Sequence, residues 1–292
     1  MRVNDLQAAT IRARISAAAA RLRDAGLSPR DALFDAELLA RTALGWDRAA
    51  ILTRANEPPP PGFADRFDAL VARREQREPA AQVVGGREFW GREFDVTRDV
   101  LVPRPETELI VEAALDLYPS ESPSRVVDVG TGSGCLAVTL ALEWPLADIT
   151  ATDVSEAALR VAAANAAKHH VEDRVRFVRT SVLAGLAPGI GLIVANPPYV
   201  RTGDRPALSR EVREYEPEEA LFGGTDGFDV IRTLLDESAD ALLPGGRLLM
   251  EFGAGQDDVV AELVRDRPRL SLDDIRADLC DIPRTAVISR RG

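Results

Sequence analysis

The chain has 292 residues, of which 46% are hydrophobic and 28% charged, so it can bury a sizeable core in one large or two smaller domains. Its formal net charge of -11 disfavours a protein that grips nucleic-acid phosphates, since such proteins usually show a basic face or a basic overall balance. The two cysteines, Cys135 and Cys280, and two adjacent histidines are too few for a disulfide framework or a thiolate zinc site, so we expect no metal.

The amino-terminal region does not look like a targeting segment. Its arginines, from Arg12 to Arg23, are scattered through polar and alanine positions without a continuous apolar core. No later stretch of the chain approaches the length of a membrane span. We therefore expect a soluble, unprocessed protein of the reducing cytoplasm.

Residues 1–82 are predicted to form a small helical domain. Apolar residues recur at helical spacing from Leu6 to Leu22, and Gly26 provides a stop. Ser28 and Pro29 then supply an N-cap and a first helical residue for a second helix. A run of prolines separates the second helix from a third. The predicted helices cover residues 6–25, 29–44 and 63–77.

A different pattern follows residue 82. Residues 83–104 lose the helical period, gain glycine and alternate around Gly91, which predicts a β-hairpin linker. From there strands alternate with helices, beginning with a helix that Pro105 opens, so residues 105–292 are predicted to form an α/β domain with a parallel sheet covered by helices on both faces. The predicted strands are residues 126–129, 149–152, 175–179, 192–195 and 247–251, and the helices between them are residues 135–143, 156–168 and 230–243.

Three glycines lie between a predicted strand and a predicted helix. Gly130, Gly132 and Gly134 let the backbone approach a ligand closely and turn into a helix whose first N–H groups face that ligand. Their G-x-G-x-G spacing departs from the dinucleotide fingerprint. Asp153 ends the next strand, nineteen positions after Gly134 (153 minus 134), where a carboxylate can accept hydrogen bonds from ribose hydroxyls. The pattern predicts a nucleoside-bearing cofactor.

Two structural alternatives apply to these residues. The glycines could form only a tight turn, and Asp153 could only cap the helix that follows it. We favour the ligand-binding interpretation because both features fall at the carboxyl ends of neighbouring strands. Asp128 precedes the loop and can either orient the glycine backbone or bind the amino group of an amino acid, and we favour the first role.

The sequence NPPY, Asn196 to Tyr199, ends a predicted buried strand. An amide or nucleobase amino nitrogen is planar and a poor nucleophile, so a site that accepts hydrogen bonds from both of its hydrogens favours loss of planarity as a bond forms. The Asn196 side-chain oxygen and the Pro197 carbonyl can supply those two acceptors, and Pro197 and Pro198 hold them without competing N–H groups. Tyr199 offers a ring face for a flat amide or base. The alternative is a turn that merely ends the strand.

These motifs resemble a known family. DVGTGSG, TDVS and NPPY look like the class I S-adenosylmethionine-dependent methyltransferase fold of the amino-methylating class. The flanking segments FWGREFDVTRDVLVPRPETE, YEPEEALFGGTDGFDVIRTLL and LPGGRLLMEFGAGQ narrow the resemblance to the protein-(glutamine-N5) methyltransferases of peptide chain release factors, the HemK/PrmC family. The resemblance implies a Rossmann-like domain with a seven-stranded, mostly parallel sheet and a small helical-bundle domain before it.

The resemblance also implies an activity and site residues. The family transfers a methyl group from S-adenosyl-L-methionine, leaving S-adenosyl-L-homocysteine, to the GGQ glutamine of class 1 release factors. By resemblance, the loop Gly130, Thr131, Gly132, Ser133 and Gly134 would hold the methionine part of the cofactor, with Asp128 beside it. Asp153 would hold the ribose, Asn196 to Tyr199 the substrate glutamine, and Asn196 would also lie near the reactive methyl. The helical domain would help to dock the release factor. We expect a monomer that contacts neither nucleic acid nor membrane directly.

One segment departs from the family pattern. Many relatives have an acidic residue and then a bulky one after the third strand of the domain, where they contact adenine, and here Thr180 and Ser181 stand at those places. We take Ser181 as the candidate on the adenine side.

Three other functions are weighed against this one. A methyltransferase of adenine or guanine amino groups in DNA or ribosomal RNA would use NPPY equally well, but the acidic balance and the flanking segments disfavour it. A non-catalytic scaffold with the same fold is disfavoured by the intact Asn196 and Asp153. A nicotinamide oxidoreductase is disfavoured by the glycine spacing.

Overall fold

The computed structural model describes residues 10–119 and 123–292. Leu6, the first apolar position of the predicted amino-terminal helix, lies outside these residues. In the described part of the chain, no helix is long and apolar enough to cross a membrane.

The described residues form the following elements. The helices are α1 (Ile11–Asp24), α2 (Pro29–Leu44), α3 (Arg48–Arg54), α4 (Phe63–Glu75), α5 (Ala80–Val84), α6 (Glu108–Leu117), α7 (Cys135–Glu143), α8 (Glu156–Lys168), α9 (Arg210–Tyr215), α10 (Asp229–Ala241) and α11 (Asp257–Arg265). The strands are β1 (Gly86–Phe89), β2 (Arg92–Asp95), β3 (Arg125–Val129), β4 (Asp148–Asp153), β5 (Val175–Arg179), β6 (Ile190–Ala195), β7 (Leu242–Glu251), β8 (Leu270–Ala277) and β9 (Pro283–Arg290). Short 3-10 helices lie at Pro105–Thr107, Thr202–Ala207 and Glu218–Ala220.

The chain divides into two compact units. One comprises the chain up to Gly85 together with Arg210–Tyr215, and the other comprises Gly86–Ser209 and Glu216–Gly292. The domain boundaries predicted at residues 82 and 104 stay predictions.

Local capping explains where α1 and α2 begin. The Thr10 hydroxyl accepts a hydrogen bond from the Ala13 N–H at 3.2 Å, and the Ser28 hydroxyl accepts one from the Asp31 N–H at 3.1 Å. Each hydroxyl satisfies a backbone donor that the first helical turn leaves without a partner. The apolar faces of the helices then meet in one core, and its fully buried large side chains include Ile11, Leu22, Leu39, Phe63 and Phe67.

Helix α9 belongs to the first unit although the chain on both sides of it belongs to the second. Partly buried ion pairs attach it. Glu211 accepts hydrogen bonds from the Arg77 Nε at 2.7 Å and the Arg74 Nη2 at 3.1 Å, and the Arg74 Nε donates to Asp35 at 2.7 Å. Removing one member would leave a charge without its partner in a largely dry environment, so this cluster fixes α9 to the rest of its unit. The sequence reading did not predict α9.

The second unit contains a seven-stranded sheet, as the resemblance implied. Its strand order within the described residues is β5-β4-β3-β6-β7-β9-β8. The first five strands are parallel, and β9 is antiparallel to both β7 and β8. Apolar residues pack on both faces of the sheet in two large clusters, which explains the near-continuous apolar runs of β3 and β6. A separate hairpin of β1 and β2 lies at the residues where alternation around Gly91 predicted it.

The strand order places a crevice beside β3 and β6. The chain runs outward in one direction from β3 to β4 and β5, and in the other direction from β6 to β7, so the order reverses between β3 and β6. Val129 and Ala195, the last residues of these two strands, are paired neighbours. Ligands of open α/β sheets bind at such a switch point, outside the carboxyl ends of the strands. The glycine loop and NPPY therefore begin side by side.

Most predicted elements of the second unit are confirmed, with two boundaries wrong. The strand predicted at residues 247–251 begins five residues earlier, at Leu242, because Leu242 already pairs with Ile190 before an irregular stretch in which Gly245 has a positive φ of 77°. The helix before it consequently ends at Ala241 rather than at residue 243. In addition, α11, β8 and β9 were not predicted.

Candidate active site

The glycine loop turns sharply from β3 into α7. Gly130, Gly132 and Gly134 all have positive φ angles, of 70°, 54° and 81°, which residues with a side chain rarely adopt. At Gly134 a second reason applies, because an added Cβ would lie 3.0 Å from the Ala162 Cβ of α8. The loop glycines therefore serve both the turn and the close packing of α7 on α8.

Asp128 holds the loop from beneath. Its Oδ2 accepts hydrogen bonds from the Thr131 hydroxyl at 2.6 Å and from the Ala137 N–H at 3.1 Å, which ties the loop to the first turn of α7. The residue is only 1% exposed, and burial raises the pKa of its carboxyl to about 7. It does not line the cavity described below. These contacts favour the orienting role for Asp128.

Asp153, at the end of β4, faces the same loop. Its Oδ2 accepts a hydrogen bond from the Gly132 N–H at 3.0 Å, and its Oδ1 accepts one from the Ser155 N–H at 2.9 Å. Helix α8 is capped by Ser155, whose hydroxyl accepts from the Ala158 N–H, so capping does not require Asp153. Asp153 lines the cavity and keeps free lone pairs there.

The NPPY segment leaves β6 against a glycine-rich segment. Two glycines of this segment lie very close to NPPY. A Cβ added to Gly223 would be 2.4 Å from the Pro198 carbonyl oxygen, and one added to Gly227 would be 2.4 Å from the Tyr199 carbonyl oxygen. The Val200 N–H donates to the Leu221 carbonyl at 2.9 Å, which fixes the two segments together. The sequence FGGTDG therefore supports the backbone of NPPY.

Asn196 is held by a chain of hydrogen bonds that the sequence analysis missed. Its Nδ2 donates to the Thr107 hydroxyl at 2.9 Å, and that hydroxyl donates to the Glu251 Oε2 at 2.6 Å. The Tyr199 hydroxyl donates to the other oxygen of Glu251, at 3.3 Å. Thr107 and Glu251 are 3% and 2% exposed. Among the described residues, nothing donates to the Asn196 Oδ1 or to the Pro197 carbonyl oxygen.

A cavity of about 340 Å³ joins the two motifs. Its charged lining residues comprise four carboxylates and one arginine, an excess of negative charge that favours a positively charged ligand. Three of the predicted site residues, Asp128, Gly134 and Tyr199, do not line the cavity. They contact or position the residues that do line it. The charged lining residues are Asp99, Arg104, Asp153, Glu219 and Asp229, and the predicted residues that line it are Gly130, Thr131, Gly132, Ser133, Asp153, Ser181, Asn196, Pro197 and Pro198.

Asn165 is another residue without a sequence signal for its role. It is fully buried in α8, and its Nδ2 donates to the Ser133 carbonyl at 2.8 Å and to the Asp95 carbonyl at 3.0 Å. Its Oδ1 accepts from the Asp95 N–H at 2.7 Å. Asn165 thus joins the glycine loop to the β1–β2 hairpin, although in the sequence it is a lone polar residue in an alanine-rich helix.

Comparison with known proteins first defines the class. The family model described as methyltransferase small domain matches residues 107–212, and the model described as PrmC N-terminal domain matches residues 15–85. A methyltransferase from Pyrococcus furiosus has a similar fold, with a TM-score of 0.53 and 19% identity over 79% of this chain and 100% of that chain. The chain therefore has a methyltransferase fold.

Curated relatives then define the family. The chain is 46% identical to the release factor glutamine methyltransferase of Cereibacter sphaeroides, over 86% of this chain and 88% of the relative. It is 42% identical to the release factor glutamine methyltransferase of Bradyrhizobium diazoefficiens, over 94% of this chain and 92% of the relative. The chain belongs to the release factor glutamine methyltransferase family.

Proposed function

We propose that the protein transfers a methyl group from S-adenosyl-L-methionine to the side-chain nitrogen N5 of the GGQ glutamine in class 1 peptide chain release factors, and that it does so in the cytoplasm as a monomer without contacting nucleic acid. The observation that carries this proposal is the pair of unused acceptors at the cavity wall, the Asn196 Oδ1 and the Pro197 carbonyl oxygen. A primary amide has two N–H hydrogens, which match two acceptors. The family membership supports the same substrate.

The other end of the cavity suits the cofactor. Backbone N–H groups of the glycine loop and the start of α7 would hold the carboxylate of the methionine part, and Asp153 would accept hydrogen bonds from the ribose hydroxyls. Ser181 lines the cavity where we expect the adenine. Bound there, S-adenosyl-L-methionine supplies an electrophilic methyl group on a cationic sulfonium, a charge that the acidic lining favours.

The NPPY residues then act on the substrate amide. By accepting from both N–H hydrogens, Asn196 and Pro197 would hold the nitrogen in line with the methyl group and favour loss of amide planarity as the new bond forms. Their acceptors are fixed in place because Pro197 and Pro198 have no N–H and a restricted φ. Transfer would form the bond from the nitrogen to the methyl carbon as the sulfonium C–S bond breaks and its electron pair returns to sulfur, leaving S-adenosyl-L-homocysteine. The nitrogen would then release one proton to solvent, and no strong base is required because the alkylated amide is acidic until that proton leaves.

The test is transfer of labelled methyl from S-adenosyl-L-methionine to four acceptors. They are a purified class 1 release factor, the same factor with its GGQ glutamine replaced, DNA and ribosomal RNA. We expect label only on the intact factor. Label on nucleic acid instead would show that NPPY holds a nucleobase and would overturn the proposal.

Asn196→Ala provides the matching test of the site. It removes one acceptor without touching the glycine loop, so transfer should fall by at least about a hundredfold, as when one positioned hydrogen-bond partner is removed from an active site. The dissociation constant of the cofactor, measured by calorimetry, should stay within about twofold because most of its expected contacts lie at the glycine loop, Asp153 and Ser181. Turnover at the wild-type rate in this variant would contradict the acceptor role.

A further inference from the structure

We propose that Thr107 and Glu251 are positioning residues that determine which end of the Asn196 amide faces the substrate. This inference rests on the proposed function, in which the Asn196 Oδ1 must face the cavity. The Glu251 carboxylate orients the Thr107 hydroxyl, and that hydroxyl in turn binds the amide nitrogen of Asn196.

The hydrogen-bond directions follow from donor counting. An ionised carboxylate can only accept, so the Thr107 hydroxyl must donate its single hydrogen to Glu251, at 2.6 Å. The hydroxyl oxygen then has only lone pairs left for Asn196, at 2.9 Å, and only the NH2 end of the amide can donate to it. The Asn196 Oδ1 is consequently turned away from Thr107, and nothing among the described residues donates to it.

The arrangement is rigid because it is buried and anchored on separate elements. Thr107 ends a 3-10 helix, Glu251 ends β7, and Asn196 follows β6, which pairs with β7 through Ala195 and Met250. The second carboxylate oxygen accepts from the Tyr199 hydroxyl at 3.3 Å. Buried polar networks of this kind hold a unique geometry only while every member is satisfied.

Protonation of Glu251 would change these directions. A protonated carboxyl group carries a hydrogen, and when that hydrogen lies on Oε2 the Thr107 hydroxyl accepts it with one lone pair, which leaves the hydroxyl hydrogen without its acceptor. A half-turn of the Asn196 amide would present the Oδ1 to that hydrogen, and it would place the NH2 end toward the substrate and remove the acceptor. The position of Thr107 between a carboxyl group and an amide therefore makes Asn196 sensitive to the charge of Glu251.

The surroundings of Glu251 place this change near neutral pH. Burial raises the pKa of Glu251 and Glu106 raises it by less, whereas the hydroxyls of Thr107 and Tyr199 and the Arg284 guanidinium lower it, and the net result is a pKa of about 7. The Cys135 thiol also interacts electrostatically with Glu251, and because burial raises the pKa of this thiol to about 12 it stays neutral through this range. Glu251 is thus ionised above pH 7 and protonated below it, so transfer should increase with pH through this range.

The experiment compares two substitutions of Thr107 with a control. Thr107→Val keeps the shape and removes the hydroxyl, and we expect kcat for release-factor methylation to fall by at least about tenfold because a buried donor loses its partner. The KM for the factor and the cofactor dissociation constant should stay within about twofold, since the substitution changes the orientation of the Asn196 amide and not the residues that bind the cofactor. Thr107→Ser keeps the hydroxyl and should restore kcat to within about threefold. Thr139→Val is the control, since Thr139 is fully buried and its hydroxyl has no partner among the described residues.

The pH profile tests Glu251. In wild type, kcat should fall as the pH drops below about 7, and in Glu251→Gln this fall should be absent because nothing titrates at that position. Wild-type kcat in Thr107→Val, or an unchanged fall in Glu251→Gln, would overturn the positioning role.

A second readout does not depend on transfer. The chain has four asparagines, Asn4, Asn56, Asn165 and Asn196, so selective labelling with nitrogen-15 gives few side-chain signals. The Asn196 NH2 signals, assigned from Asn196→Ala, should shift with pH near 7 in wild type and stay constant in Glu251→Gln. If wild type methylates no release factor, the proposed function is wrong, and these signals alone decide the positioning role: a constant position in wild type would refute it.

Discussion

The Asp153 carboxylate accepts two backbone hydrogen bonds within the protein, from the N–H groups of Gly132 and Ser155. A carboxylate has about four lone-pair sites, so roughly two remain for the ribose hydroxyls of the proposed cofactor. The residue thus has a structural role and an expected binding role, and simple loss of binding in a variant would not separate them.

The two roles of Asp153 can be separated by measuring the binding of two ligands to wild type and to Asp153→Ala. We expect calorimetry on wild type to show S-adenosyl-L-homocysteine binding at least about tenfold more tightly than its 2′,3′-dideoxy analogue, because the analogue cannot donate to Asp153. In Asp153→Ala both ligands should bind weakly and equally. A preference for the hydroxylated ligand that survives in the variant would show that Asp153 only supports the loop.

Residues of the site differ in how far the sequence alone could predict them. Asp153 and Asn196 were predicted because each lies at the carboxyl end of a recognisable strand, within a short motif with a chemical meaning. Thr107 and Glu251 both lie in segments that carry the family resemblance, but they were not predicted as site residues, since their contact joins residues 144 positions apart. Only the pairing of β6 with β7 brings Glu251 beside Asn196.

At the scale of elements, the segment that packs on NPPY gives a sharp test. Gly223→Ala would place a Cβ 2.4 Å from the Pro198 carbonyl oxygen and 2.5 Å from the Gly227 carbonyl oxygen, so the backbone of NPPY must shift. Because misplacing a reacting group by about 1 Å can cost about a hundredfold in rate, we expect transfer to fall by at least about tenfold. Labelled methyl transfer measures the effect.

Gly203→Ala is the matched control for Gly223→Ala. Nothing lies within 4 Å of the position that its Cβ would occupy, and Gly203 does not have a positive φ. Its transfer rate and melting temperature should match those of wild type. Equal activity of Gly223→Ala and Gly203→Ala would contradict the inference that the glycine segment fixes NPPY.

The elements also show which parts of the fold the sequence patterns could predict and which they could not. The alternating strands and helices from β3 to β6 were predicted, because buried parallel strands give short apolar runs and the helices between them have apolar faces. Strand β8 was missed because it is an edge strand with mixed burial, from a buried Leu270 to an exposed Ala277. Helix α9 was missed because partly buried ion pairs with Arg74 and Arg77, and not an apolar face, fix it in its unit.

At the scale of the whole molecule, two buried carboxyl groups oppose stability at high pH. Burial raises the pKa of both Asp128 and Glu251 to about 7, from usual values near 4. Between about pH 4 and 7 the folded protein therefore binds protons at these positions that the unfolded chain has released. Stability falls as the pH rises through this window, and it levels off above about pH 7, where both states are ionised.

We expect this linkage to appear in thermal unfolding. Because 1 kcal/mol corresponds to roughly 2–4 °C in a domain of this size, the melting temperature of wild type should fall by at least about 4 °C between about pH 5.5 and 8, at constant ionic strength. The double variant Asp128→Asn, Glu251→Gln should show a clearly smaller fall, and comparing the two proteins removes contributions that they share. Equal slopes would show that neither carboxyl group is protonated in the folded state near pH 6.

If the slopes differ as expected, the fold is most stable where Glu251 is protonated, whereas the positioning of Asn196 requires Glu251 to be ionised. The pH of fastest transfer should therefore lie above the pH of greatest stability, so the ionised carboxylate would be maintained for its effect on Asn196 at a cost to the fold.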